Sequence, residues 1–240
     1  MKIIEKLNAK QDIYSGKPVT IAFLGDSVTQ GCFECYIKED GSIETVFDYK
    51  SAYSTRVREM LNTLYPSVQV NIINSGISGD GTSNAKNRIE RDILPFSPDL
   101  VVVSFGLNDA CSSKITIDGY AQNLREIFKK VSADGAEVIF LTQNAMNTKK
   151  SCHLKGDNAL TQGAELTMKR QNDGTMKAFM DKARQVAKEC GVKVCDLYPI
   201  WERWIDCGVD TTELLANKIN HPIRKLHYYM AMKLVETMFE

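Results

Sequence analysis

Residues 99–104 read Asp-Leu-Val-Val-Val-Ser, an unbroken apolar run between polar ends. A strand with one wet face alternates apolar and polar side chains, whereas a continuous run suits a parallel strand covered on both faces. Parallel neighbours cannot be joined by a tight turn and need a long crossover, usually a helix. The rest of the chain supplies such units. Further strands are predicted at 19–24, 68–73, 137–141 and 192–195. Between them lie stretches of helical period. One covers 51–64, with Tyr53, Val57, Met60, Leu61 and Leu64 on its apolar stripe before Pro66. Others cover 83–94, a segment from Asp118 that buries Tyr120, Leu124, Ile127, Phe128 and Val131, then 174–190 and 222–238. This alternation predicts the α/β class: a three-layer α/β/α sandwich around a mainly parallel, five-stranded sheet.

The 240 residues suit one domain, taken as 1–240. Residues 1–17 are expected to form a short surface helix or arm. Residues 32–50 form a polar insert in which Asp40-Gly41 closes a small hairpin between 35–39 and 42–47. Residues 143–172 are polar, contain Gly156 and Gly163, and show little period. They are too long for an ordinary connection and leave the carboxyl end of the fourth strand, which predicts a lid or substrate-contacting insert.

Thirty lysines and arginines balance thirty aspartates and glutamates, with no polybasic run, so neither nucleic acid nor an anionic membrane is expected as a partner. The charged start Met1-Lys2-Ile3-Ile4-Glu5-Lys6 does not resemble a signal peptide, and a cytoplasmic protein is expected. A homo-oligomer is compatible with the sequence but not specified by it. The seven cysteines form no disulfide framework. Cys32 and Cys35 have C-x-x-C spacing, but no second pair or neighbouring histidine completes a zinc site, and the three histidines are scattered. No metal or other cofactor is expected.

The stretch 21–31 reads Ile-Ala-Phe-Leu-Gly-Asp-Ser-Val-Thr-Gln-Gly. A buried strand running into Gly25-Asp26-Ser27 delivers one small hydroxyl to the end of the sheet, where a nucleophile is well placed. Three other segments converge on the same edge: the small-residue loop 74–82, Gly106-Leu107-Asn108-Asp109 after the third strand, and His221-Pro222 before the last helix. Ser27 needs a base, which His221 can be. A tetrahedral intermediate needs donors for its oxyanion, which the Ser27 and Gly79 backbone N–H groups and the Asn108 amide can supply. Asp26 and Asp109 are expected to brace their loops as supporting residues. His227, on the last helix, is expected to be structural, and His153 lies in the insert.

In order and spacing these four blocks resemble those of the SGNH (GDSL-type) hydrolase superfamily, over about residues 19–238. The resemblance implies a flavodoxin-like sandwich and a serine esterase, lipase, acetylesterase or thioesterase whose four named residues fall on Ser27, Gly79, Asn108 and His221. Its substrate would be a small ester, with a short acyl group such as acetyl on a carbohydrate or other polar alcohol favoured. Such enzymes usually carry an aspartate three residues before the histidine, and here Lys218 stands at that position. A lysine ammonium beside the imidazole would lower its pKa and could not accept its N–H. The acceptor is left open among a backbone carbonyl, Asn217, Asp206, Asp210 and Glu213. An acyltransferase with the same site, or a binding protein on a disabled scaffold, are the rival functions.

Overall fold

The computed structural model describes residues 1–9, 17–133 and 135–240; residues 10–16 of the expected N-terminal arm lie outside the described residues. Its elements run in the order α1 (Lys2–Ala9), β1 (Val19–Gly25), α2 (Ser27–Gln30), β2 (Cys32–Ile37), β3 (Ile43–Phe47), α3 (Tyr53–Leu64), β4 (Val70–Gly76), α4 (Thr82–Asp92), β5 (Leu100–Ser104), α5 (Leu107–Cys111), α6 (Ile117–Ala133), β6 (Glu137–Leu141), α7 (Ala159–Asn172), α8 (Thr175–Glu189), β7 (Lys193–Cys195), α9 (Tyr198–Asp206) and α10 (Arg224–Phe239).

The five-stranded sheet has the order β4-β1-β5-β6-β7, and all its pairs are parallel. The apolar run 100–103 lies in β5, which is buried at every residue between β1 and β6. Burying each of its valine side chains contributes about 1.5–3 kcal/mol. Helix α10 packs against α3, while α6 packs against both α4 and α8, which gives the helix layers that cover the sheet. The fold is thus the flavodoxin-like α/β/α sandwich. Among the described residues no helix is long and apolar enough to cross a membrane.

Register decides where the chemistry can sit. Gly25 at the end of β1 lies opposite Gly76 of β4 and Ser104 of β5, so three strands finish level at one edge. The next turn folds down onto that edge. A Cβ at Gly76 would lie 2.2 Å from the Gln30 backbone nitrogen, so only glycine lets α2 approach β4 this closely.

The predicted hairpin forms as β2 and β3, outside the main sheet. The region 143–172 is more ordered than its composition predicts. Residues 143–147 are buried, and α7 is capped by Asn158, whose side chain accepts from the Leu160 and Thr161 N–H groups while the Thr161 hydroxyl accepts from the Asn158 N–H. The buried face of α7 uses Thr161 and Thr167 beside Leu160 and Ala164, which blurs its apolar period. Of the short surface helix or arm expected at the start, residues 2–9 form a helix, α1, which is exposed or half-buried except where Ile3 and Leu7 are fully buried.

Candidate active site

Ser27 begins α2 directly after β1. Asp26 is the N-cap: its Oδ1 accepts from the Val28 N–H at 3.0 Å, and its Oδ2 accepts from Gln143 Nε2 at 2.9 Å. Burial, as the largest cause, pushes the Asp26 carboxyl up to about 7. Through these two bonds it ties the serine turn to Gln143.

His221 reaches Ser27 from the other end of the chain, with Nε2 2.9 Å from Ser27 Oγ. Both side chains are nearly enclosed, at 4% exposure for Ser27 and 6% for His221. The other ring nitrogen, Nδ1, lies 2.9 Å from the carbonyl oxygen of Phe33 in β2. A carbonyl can only accept, so Nδ1 carries the proton and Nε2 is left with the lone pair that faces the serine. Burial lowers the His221 pKa to about 4, opposed by the bond to the Phe33 carbonyl. The imidazole is therefore neutral at physiological pH and ready to accept a proton.

The sequence's open choice of His221 partner falls on the backbone carbonyl. Asn217 serves the loop instead: its Oδ1 accepts from the N–H groups of Ile219, Asn220 and His221 at 3.0, 2.9 and 2.9 Å. Asp210 pairs with Lys149 at 2.6 Å, Glu213 pairs with Lys218 at 2.8 Å, and Asp206 is exposed at the end of α9. The expectation that Lys218 would depress the imidazole pKa is corrected. Lys218 has a left-handed backbone, φ 60°, and its ammonium donates to the Glu213 carboxylate and carbonyl. The depression comes from burial.

Gly79 lies between two anchored residues. The Ser78 N–H donates to Gln30 Oε1 at 2.7 Å, and the Asp80 N–H donates to the Ile77 carbonyl. Gly79 itself has φ +77°, is exposed, and its N–H has no acceptor among the described residues. Asn108, in α5, uses one Nδ2 hydrogen on the Asp80 carbonyl at 2.8 Å and keeps a second. Gly79 and Asn108 both line a cleft of about 260 Å³, with Ser83, Asn84, Ser112 and Lys114 on its walls. The Asp109 Oδ1 accepts from the Thr82 N–H and hydroxyl at 3.0 and 2.6 Å, tying α5 to the start of α4.

Sequence reasoning missed Arg88. Its buried guanidinium donates to the Asp80 carboxylate, to Asp92, and to the Ser75 and Gly25 carbonyls, bolting the Gly79 loop to the ends of β4 and β1. Only the Arg88/Asp92 helical spacing hints at it. Phe33 was also missed, because a backbone carbonyl has no signature in side-chain identity.

The other candidates stay out of the site. His227 is fully buried, its Nδ1 accepts from the Tyr53 N–H at 3.1 Å, and it packs against Phe33. His153 is exposed in the insert, 4.0 Å from Glu213. Burial pushes the Cys32 thiol up to about 12 and raises Cys35 as well, which is unsuited to metal or redox work. Among the described residues no three or more His, Cys, Asp or Glu side chains are grouped to hold a metal ion.

The insert borders this site. Asn144 Nδ2 donates to the Asn220 carbonyl, the Asn147 N–H to the Ile219 carbonyl, and Leu160 and Ala164 of α7 pack with Ile219.

A buried serine–histidine pair at the carboxyl edge of a parallel sheet, with free donors on neighbouring loops, defines a GDSL/SGNH-type serine hydrolase. The model of the GDSL-like lipase/acylhydrolase family matches residues 23–227, and the chain belongs to that family. It is 26% identical over 136 residues to an acetylxylan esterase of Geobacillus stearothermophilus, a match that covers 53% of this chain and 60% of that protein's length. Its fold is similar to that of LAE5, an alpha/beta hydrolase enzyme from the metagenome of Lake Arreo (19% identity, TM-score 0.69, 94% of this chain and 97% of that one). A variant of Axe2, an acetyl-xylooligosaccharide esterase of Geobacillus, is also similar (19% identity, TM-score 0.67, 93% and 95%). So is a lipase/acylhydrolase from Enterococcus faecalis (20% identity, TM-score 0.66, 92% and 95%).

Proposed function

We propose that this protein hydrolyses carboxylic esters through an acyl-enzyme on Ser27, with a short acyl group, acetyl first, on a carbohydrate or other small polar alcohol. The observation that carries this reading is the 2.9 Å contact between Ser27 Oγ and an imidazole nitrogen whose tautomer is fixed from behind. In the first half-reaction Ser27 Oγ attacks the acyl carbon as its proton passes to His221 Nε2. The oxyanion formed accepts from the Gly79 and Ser27 N–H groups and the remaining Asn108 Nδ2–H. His221 then protonates the leaving alcohol, and the acyl group stays on Ser27. In the second half-reaction water gives a proton to Nε2 and attacks the same carbon, and the collapse releases the acid and returns the proton to Ser27.

The cleft beside the catalytic pair, which Gly79 and Asn108 line and Ser27 and His221 do not, has Ser83, Asn84, Ser112 and Lys114 on its walls, and this polar lining supports a hydrophilic ester over a long aliphatic chain. The names of the acetylxylan and acetyl-xylooligosaccharide esterases point the same way. The partner of the site is then a small-molecule ester, and the insert 143–172, which packs on the loop before His221, is the segment we assign to contact it.

Turnover of p-nitrophenyl acetate, p-nitrophenyl octanoate and a peracetylated xylose tests this. The expected order is acetate far above octanoate, with acetate released from the sugar, and loss of at least about a hundredfold in kcat for Ser27→Ala and His221→Ala. Equal turnover of octanoate would refute the short-chain preference. Undiminished activity in Ser27→Ala would refute the nucleophile.

A further inference from the structure

The carbonyl that holds His221 owes its freedom to an irregularity in the hairpin. Along β2 and β3, Cys32 pairs with Phe47 and Cys35 with Thr45, so three steps on one strand match two on the other. The extra residue is a β-bulge, and Phe33 and Glu34 lie in it. A bulge leaves ladder groups unpaired, and here the Phe33 carbonyl turns to His221 Nδ1 at 2.9 Å.

A two-stranded hairpin outside the main sheet is weak support for a catalytic contact. This one is gripped by Arg224, three residues after His221 and the first residue of α10. The Arg224 guanidinium forks onto both Glu34 carboxylate oxygens at 2.5 and 3.0 Å. Its Nε donates to Asp48 Oδ2 at 2.8 Å, just beyond β3. Its Cζ lies 4.3 Å from the centroid of the Phe33 ring. The same ring packs on His227 at 4.7 Å, three residues further along α10. One segment thus carries the base and both groups that fix the peptide behind it.

We propose that Arg224 is the positioning residue of the catalytic histidine: by holding Glu34, Asp48 and the Phe33 ring it sets the bulge, and through the Phe33 carbonyl it fixes the His221 imidazole where an acidic third partner would otherwise do so. The inference rests on the serine hydrolase reading above. A planar, bidentate guanidinium is required for it, since a lysine cannot form the fork or stack on the ring.

The test uses the whole protein and four variants: Arg224→Gln, Arg224→Lys, Glu34→Gln and the double variant Arg224→Gln/Glu34→Gln. In folded Arg224→Gln, kcat for p-nitrophenyl acetate is expected to fall about 10- to 100-fold with KM within about twofold, the scale of a misplaced catalytic group. Arg224→Lys is not expected to restore it, and the double variant should be no slower than the slower single one. A proton resonance of the His221 Nδ1–H, protected from exchange by its bond to the carbonyl, should be visible in the parent and be lost or move upfield in Arg224→Gln. A folded Arg224→Gln protein with kcat within about twofold of the parent and an unchanged imidazole resonance would overturn the proposal. If that variant does not fold, Glu34→Gln, which keeps the Asp48 and ring contacts, is judged by the same two readouts. A parent that neither turns over ester nor labels at Ser27 would sink the hydrolase reading, and the imidazole resonance would still decide whether Arg224 sets the ring.

Discussion

At the scale of single residues, His221, the proposed base, is supported by a neutral group. The Phe33 carbonyl fixes the ring and tautomer of His221 as a carboxylate would, but in the proposed mechanism it would lend less charge to the imidazolium. Burial then dominates, and the imidazole titrates at about 4 instead of 6.5. The protonated ring cannot accept the Ser27 proton, so activity is lost as pH falls through that value and not before. The acid limb of kcat/KM for the free enzyme is expected near pH 4 in the parent. Lys218→Ala should show the same limb and a kcat within about twofold, because the Lys218 ammonium faces Glu213. A limb at 6–7 in the parent, or one displaced in Lys218→Ala, would show that the ring is charged or tuned otherwise. Lysine at the position of the usual aspartate is a misleading signal when read as a side chain alone. Its left-handed backbone turns it away from the ring, and sequence identity does not report that turn.

At the scale of elements, the Gly79 and Asn108 loops are held by buried charge. Arg88 on α4 reaches four partners, among them the Asp80 carboxylate and the carbonyl of Gly25 two residues before Ser27. Both ends of the Arg88–Asp80 pair are almost fully buried. Removing one partner of such a pair strands the other, at a cost of about 3–5 kcal/mol. Arg88→Met is therefore expected to lower the melting temperature by several degrees and also to reduce kcat, since Asp80 carries the carbonyl that orients Asn108. A melting temperature equal to the parent's would refute the bracing role. The hairpin shows a second limit of sequence reading. Cys32-x-x-Cys35 looks like a metal or redox motif, yet the spacing marks the two ends of a bulge whose useful atom is the carbonyl between them. Helix α7 shows a third, because threonines on its buried face blur the apolar period.

For the whole molecule, the architecture was legible because a parallel sheet covered on both faces writes itself as unbroken apolar runs. Leu100 to Val103 is the clearest case, and βαβ topology puts the carboxyl ends of the strands on one edge, where Gly25, Gly76 and Ser104 lie in register. That edge also made the residues Ser27, Gly79, Asn108 and His221 legible together, since each follows or faces a strand end. The structure joins Ser27 to His221 directly and sets Gly79 and Asn108 on a common cleft. What was not legible is the support behind them: the Phe33 carbonyl, Arg88 and Arg224 act through backbone groups and through contacts far apart in sequence, such as the 188 residues between Phe33 and His221.

The central claim is that Ser27 is a nucleophile activated by His221. Intact-mass measurement after treatment with a fluorophosphonate tests it most directly. One adduct per chain, mapped to Ser27, absent from Ser27→Ala and formed at least about a hundredfold more slowly in His221→Ala, is the predicted result. A parent chain that stays unmodified, or that is modified at another residue with Ser27 intact, would contradict it.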